Sequence, residues 1–439
     1  MADPFLDQVV DAVGDQATGR SLPRALTPFR IRAYRRLALS VAFGAFAQGV
    51  WVIGLVWEVF GLGGNATHLS LVSGASAVGV MVPALLAGVV ADRVPQRRVL
   101  LAVATTEATG MALVAGLAWA GLTTVPLLTA VAFVIGMAMA FYYPAYSAML
   151  PSIVPERDLM AVNGFEGMIR PTIGQALGPA VAGAVVGWAA PSAAFAVAAA
   201  AMVGAVLALC WVPPVPLRRE PGAGAASAGH PVRTALADVA EGMRYMVRTP
   251  WLLASLLFAC LMILAMMGPL EVLLPYFIKS GLGGDAGDHA LVLAAFGVGG
   301  ALGSLAMASR RMPRRYLTTM TVMWGSAGLP FLAVAHADAV WQLVVAGVVM
   351  GVLFSAPMVI WGTLLQRRVP KHLLGRVSSL DFFVSIALMP VSMALAGPVS
   401  EAVGLRATFY CAALAPAVLC VVALLAARMP ADEVAHPLD

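Results

Sequence analysis

Apolar runs of about 20 residues recur along the whole chain, at 37–60, 69–90, 99–120, 126–150, 163–187, 193–212, 251–278, 290–307, 316–334, 339–365, 378–399 and 407–427. Each is long enough to cross a hydrocarbon core of about 30 Å as a helix. The polar stretches between them alternate in charge. The N-terminal segment, the stretches at 91–98, 151–162, 213–250, 308–315 and 366–377, and the C-terminal segment hold 24 of the 27 Lys and Arg residues. The opposite set holds only Lys279 and Arg406, and Arg170 falls within a run. Basic side chains stay on the cytoplasmic side of a membrane, so this alternation predicts an all-α membrane protein with 12 transmembrane helices and both termini cytoplasmic.

The organisation that follows is a cytoplasmic segment over 1–36, six helices over 37–212, a linker over 213–250, six further helices over 251–427 and a cytoplasmic tail over 428–439. The linker is rich in Pro, Gly and Ala at 213–231 and then takes a helical pattern from Ala235 to Val247, which predicts an amphipathic surface helix. An offset of 215 residues places Val154-Pro155 on Val369-Pro370 and Glu166 on Asp381, as expected of two parallel six-helix repeats.

Composition excludes several function classes. The chain is 61% apolar and 11% charged, against about 45–50% and about 25% in soluble domains. The net charge of +5 comes from arginines clustered between apolar runs, with no stripe of basic and aromatic residues, so no nucleic-acid partner is expected. Cys210, Cys260, Cys411 and Cys420 lie in apolar runs without C-x-x-C spacing, and no metal site is expected. The six histidines fall in loops or flexible segments, with His68, His289 and His336 expected in outer loops. No catalytic set of side chains is visible, so the chain does not read as an enzyme. There is no G-x4-G-K-[ST] loop either, so ATP is not expected as direct energy source, and no cofactor beyond a proton gradient is called for.

Two motifs go further. Gly79, eight residues to Gly88, three to Asp92-Arg93, then Arg97-Arg98 resembles the cytoplasmic loop motif of the major facilitator superfamily, with Pro95 where the family has a third glycine. The resemblance implies the major facilitator fold, and an inner gate in which this loop meets the start of span eleven near Val377 and Ser378, with Arg376 in the gate network. Gly174-x3-Gly178-Pro179-x2-Ala182-Gly183 is similar to the antiporter motif of drug exporters in that superfamily, with Ala182 in place of one Gly. From Phe29 to Ala427 the chain resembles the subfamily that includes the enterobactin exporter, macrolide efflux proteins and the mycobacterial Tap pump. Several of these carry an Asp in the middle of span one, where this chain has Gln48.

Ionisable side chains within the membrane are costly and therefore candidates for function. Glu58 and Glu271 occupy related places near the outer ends of spans one and seven, where they suit proton or cation binding as well as plain solvation. Glu166 and Arg170 stand four apart on span five and can pair, with Asp381 at the related place on span eleven; an inner-gate network and static helix-end ion pairs are both open. Glu107 on span three is either a proton site or a partner for a loop arginine. Trp51, Trp57, Tyr142, Tyr143, Phe382 and Phe383 suit an aromatic cavity lining or an interfacial belt, and Met262, Met266 and Met267 an adaptable surface or simple helix packing. These readings imply a monomeric, multi-pass transporter of the bacterial inner membrane, in contact with membrane lipids. Its small amphipathic substrate is expected to leave by proton-coupled antiport. A siderophore or lipid exporter, and after it a nutrient importer, are the alternatives.

Overall fold

The computed structural model describes residues 24–84, 87, 90, 94–155, 158, 162, 165, 169–214, 231–370, 373, 377, 380, 381, 383, 384 and 387–438. Among them there is no strand. In lipid every backbone N–H and C=O must be met within the segment, which helices achieve.

The first group comprises α1 (Arg32–Gly61), α2 (Ala66–Met81), α3 (Gln96–Trp119), α4 (Val125–Ile153), α5 (Gly178–Trp188, preceded by a π-helical stretch at Arg170–Leu177) and α6 (Pro191–Cys210). The expected linker helix is present as α7 (Pro231–Arg248), longer than its predicted 235–247. The second group comprises α8 (Pro250–Ser280, with a π turn at Pro269–Leu273), α9 (Ala286–Ala308), α10 (Tyr316–Ala335, interrupted at 327–329), α11 (Val340–Arg368), α12 (Met389–Val403) and α13 (Leu405–Ala426). A short helix, α14 (Met429–Ala435), is the last of the described helices. Nine of the described helices are long and apolar enough to span a membrane, and Ala66–Met81 is a shorter apolar one.

Two of the irregularities have a proline in their first two positions, Pro171 and Pro269, whose missing N–H removes a helical hydrogen bond. Within the expected tail at 428–439, Met429–Ala435 forms α14. It forms because Met429 and Glu433 are buried against the second group, an effect of tertiary packing on a seven-residue segment.

The pairings α1 with α6, α3 with α6, α2 with α4 and α3 with α4 build the first bundle. The same pairings recur as α8 with α13, α10 with α13, α9 with α11 and α10 with α11. Glycines make the closest of these possible. A side chain on Gly79 would collide with the Phe133 carbonyl across α2 and α4, and one on Gly299 with the Val348 carbonyl across α9 and α11.

Two seams join the bundles, α2 against α12 and α5 with its π stretch against α9. One end of the molecule, here the near end, holds Arg36, Arg97 and Arg368. The far end holds Glu58, Thr123, Tyr276 and Gly397. At the far end the Gly397 N–H donates to Ser70 Oγ at 2.7 Å, and the Lys279 ammonium lies 5.3 Å from the centroid of the Trp57 ring. Phe60 and Tyr276 approach with ring centroids 6.5 Å apart. Gly183 lies directly on Gly287 and Ala290 of α9.

Candidate functional site

α1, α3 and α4 each turn one face toward the interior of the first bundle, and α6 closes the side. Between them lies a cavity of about 290 Å³. Glu107 reaches it from α3, about 16 Å along that helix from Gln96 by its rise per residue, and is only 5% exposed. Gln48 reaches it from α1 and is the side chain whose polar group acts on the Glu107 carboxylate. Gln48 Nε2 is itself buried, with no hydrogen-bond partner among the described residues. Gln175, Tyr142 and Ser40 supply further polar atoms, and Met139 and Met202 much of the apolar wall. The arrangement offers an acceptor, a donor and an apolar, adaptable surface, which suits the binding of an amphipathic molecule.

The antiporter-like motif builds the floor of this cavity. Gly174 and Gly178 lie against the backbone of α1 at Ala45, Phe46 and Gly49, and a side chain on Gly49 would strike the Gly174 carbonyl and the Pro179 ring. Gly183 of the same motif forms part of the α5–α9 seam. One motif therefore sets both the cavity and the contact between bundles.

The loop motif is divided. Gly79 packs on α4. Arg97 turns away from the loop and donates to the carbonyls of Leu209 at 3.2 Å and Cys210 at 2.7 Å, while Arg36 donates to that of Trp211. Both arginines thereby meet the bare carbonyls and negative dipole at the end of α6. Arg98 is exposed. Gly88, Asp92, Arg93, Arg376 and Glu166 lie outside the described residues, as does the Arg170 side chain, so the expected inner gate and the Glu166–Arg170 pair fall there too.

The remaining acids are dispersed. Glu58 accepts a hydrogen bond from the Thr123 hydroxyl in the α3–α4 loop of its own bundle. Glu271 sits in the π turn of α8, which packs against α2 and α12, and no described residue pairs with it. Among the described residues no hydrogen bond or ion pair joins it to Glu58. Asp381 accepts from the Trp361 indole at 2.9 Å.

Of the aromatic candidates, Tyr142 lines the cavity and stacks on Tyr146, Tyr143 is exposed, and Trp51 packs on Phe195 with centroids 5.2 Å apart. Phe382 lies outside the described residues. Met262 and Met266 are buried in helix contacts. His289, expected in an outer loop, is instead 3% exposed within α9, because the Asp285 cap starts that helix before it. Its Nδ1 has no described partner, and the same holds for Trp57 Nε1 and Thr67 Oγ1 on the other far-end helices.

Glu107 and Gln48 are the pair the sequence separates by 59 positions and the fold brings together. Their residue types alone gave no sign of it. The only signal was an acid in the middle of an apolar run, a lasting anomaly in lipid.

The pattern of one membrane-protein family, described as transmembrane secretion effector, matches residues 23–437. The chain belongs to that family. It is accordingly a major facilitator transporter and not an enzyme. The multidrug efflux pump Tap of Mycolicibacterium fortuitum is 29% identical over 394 residues, covering 87% of this chain and 92% of that protein. Tap of Mycobacterium tuberculosis is 28% identical over 405 residues, covering 90% and 93%. Among solved structures, a POT family transporter superposes with a TM-score of 0.68 at 13% identity, covering 90% of this chain and 96% of that one. The nucleoside transporter NupG superposes with a TM-score of 0.63 at 15% identity, covering 89% and 98%. At such identities the likeness concerns the fold alone.

Proposed function

We propose that the protein is a secondary active exporter of small amphipathic compounds, drugs or secondary metabolites, driven by proton antiport and working by alternating access. In this reading it crosses the bacterial inner membrane twelve times as two six-helix halves, 37–212 and 251–427, with both termini cytoplasmic. It acts as a monomer among membrane lipids and needs no bound cofactor.

The observation that carries the proposal is the buried Glu107–Gln48 cavity inside one of two bundles that meet along glycine-lined seams. Packed helices with backbone-to-backbone seams can tilt as rigid bodies about a midplane site. With the arginine-rich near end in the cytoplasm, the far-end contacts Lys279–Trp57, Phe60–Tyr276 and Ser70–Gly397 form the outer gate. Glu271 and Glu58 carry protons beneath that gate, and Asp381 with Glu166 and Arg170 belongs to the inner one. The likeness to the Tap pumps over about nine-tenths of the chain supports a drug-like substrate.

Everted membrane vesicles loaded with the protein test this directly. Accumulation of a fluorescent drug should require an imposed proton gradient and collapse with a protonophore. Accumulation that ignores the gradient, and persists when Glu58, Glu107 and Glu271 are all changed to Gln, overturns it.

A further inference from the structure

The cavity of the first bundle is lined by α1, α3, α4, the π stretch before α5, and α6, so a ligand held there needs nothing from the second bundle. Its wall is apolar apart from a few groups, and two of those are unmet. The Glu107 carboxylate has no cationic partner among the described residues, only the neighbouring Gln48 amide. Gln48 Nε2 is buried and has no acceptor among them.

Each condition is unfavourable alone. A buried carboxylate without a cationic partner lacks the counter-charge that would stabilise it, and a buried N–H without an acceptor bears its full desolvation cost. One molecule can remedy both, provided it brings a positively charged nitrogen to Glu107 and an oxygen acceptor to Gln48. The separation is short, since the Gln48 side chain lies beside the carboxylate. The rest of that molecule would lie against Met139 and Met202, whose thioethers adapt to aromatic or aliphatic shapes.

We infer that this cavity is a two-point site for an amphipathic amine that carries a carbonyl, ether or hydroxyl oxygen close to its charged nitrogen. The inference rests on the export reading above and names the substrate class for it. A permanent cation without an acceptor satisfies only Glu107, and a neutral carbonyl compound only Gln48, so both bind more weakly than a molecule with both groups.

Three related probes separate these cases. Lidocaine has a tertiary amine beside an amide carbonyl, N,N-diethyl-2-phenylethylamine has the amine alone, and 2,6-dimethylacetanilide has the carbonyl alone. Equilibrium binding to the purified full chain in nanodiscs, without a gradient, should place lidocaine at least about tenfold tighter than either partial probe. Glu107→Gln should erase the advantage of lidocaine over the neutral anilide. Gln48→Leu should bring lidocaine down to the level of the acceptor-free amine and leave that amine unchanged. Equal binding of all three, binding of none, or a Gln48→Leu variant that weakens both amines alike overturns the two-point site. If Glu107→Gln is not monodisperse, the selective effect of Gln48→Leu decides by itself. Lidocaine that binds in this way but moves inward in vesicles sinks the export reading and leaves the site standing. Export that survives both substitutions unchanged sinks the site and leaves export standing.

Discussion

The interiors of the two bundles differ at corresponding places. In the first, α1, α3 and α4 enclose a cavity with Glu107, Gln48 and Tyr142 on its wall. In the second, the counterpart helices α8, α10 and α11 contribute Trp251, Trp324 and Trp361, which pack edge to face with centroids 6.3 Å apart in each neighbouring pair. Trp324 donates to the Phe354 carbonyl at 3.0 Å and Trp361 to Asp381, so these rings fill space and have their polar edges satisfied. One topology thus serves two purposes. The first bundle keeps room for a ligand beside an unmet polar group, whereas in the second the tryptophan cluster takes up the space between the counterpart helices.

The contrast extends to the near end. There the first bundle sets Arg36 and Arg97 on the bare carbonyls that end α6. The second does the reverse. Glu433 of α14 accepts from the Thr318 N–H at 3.0 Å and its hydroxyl at 2.7 Å at the start of α10, and Asp432 pairs with Arg368, which lies over the Trp251 ring. Helix ends of opposite polarity receive side chains of opposite charge.

The sharpest way to break the contrast is to empty the tryptophan cluster. Trp361→Ala should cost about 3–5 kcal/mol by leaving a void between α8, α10 and α11, read as a large fall in unfolding temperature in detergent. The converse is to fill the cavity of the first bundle. A Cβ on Gly44 meets nothing within 4 Å, and Gly44 lines the cavity. Gly44→Leu should therefore leave the unfolding temperature unchanged while drug efflux falls at least about tenfold, equivalent to about 1.4 kcal/mol. Third, Asp432→Asn weakens a partly buried ion pair and should cost about 1–3 kcal/mol, more than Arg97→Gln, whose partners are solvated carbonyls. Thermal unfolding of the two variants side by side checks the order. The smallest effect is expected at the far end, where Thr123→Val removes the donor to Glu58 and should cost about 1 kcal/mol. An equal loss from Trp361→Ala and from a matching Tyr142→Ala would dissolve the comparison.

Helix positions were largely legible because lipid demands long apolar segments, and the described helices fall on the expected runs. The linker helix was legible for the related reason that its polar and apolar residues separate by face. What sequence could not convey depends on contacts between distant segments. Arg97 reads as a loop residue within a familiar motif, yet its guanidinium serves α6 because that helix ends within its reach. Glu107 reads as an isolated acid until α1 brings Gln48 beside it. His289 lies near a loop by count, but the capping carboxylate of Asp285 draws it into the helix. α14 has a proline and only two turns, so nothing local announces it; buried Met429 and Glu433 hold it in place.

Placement of α14 has a practical consequence for handling the protein. An affinity tag or fluorescent fusion joined directly after Ala435 would pull on a carboxylate engaged with α10 and, through Asp432, on Arg368. A flexible spacer, or attachment at the other terminus, keeps that helix seated during purification.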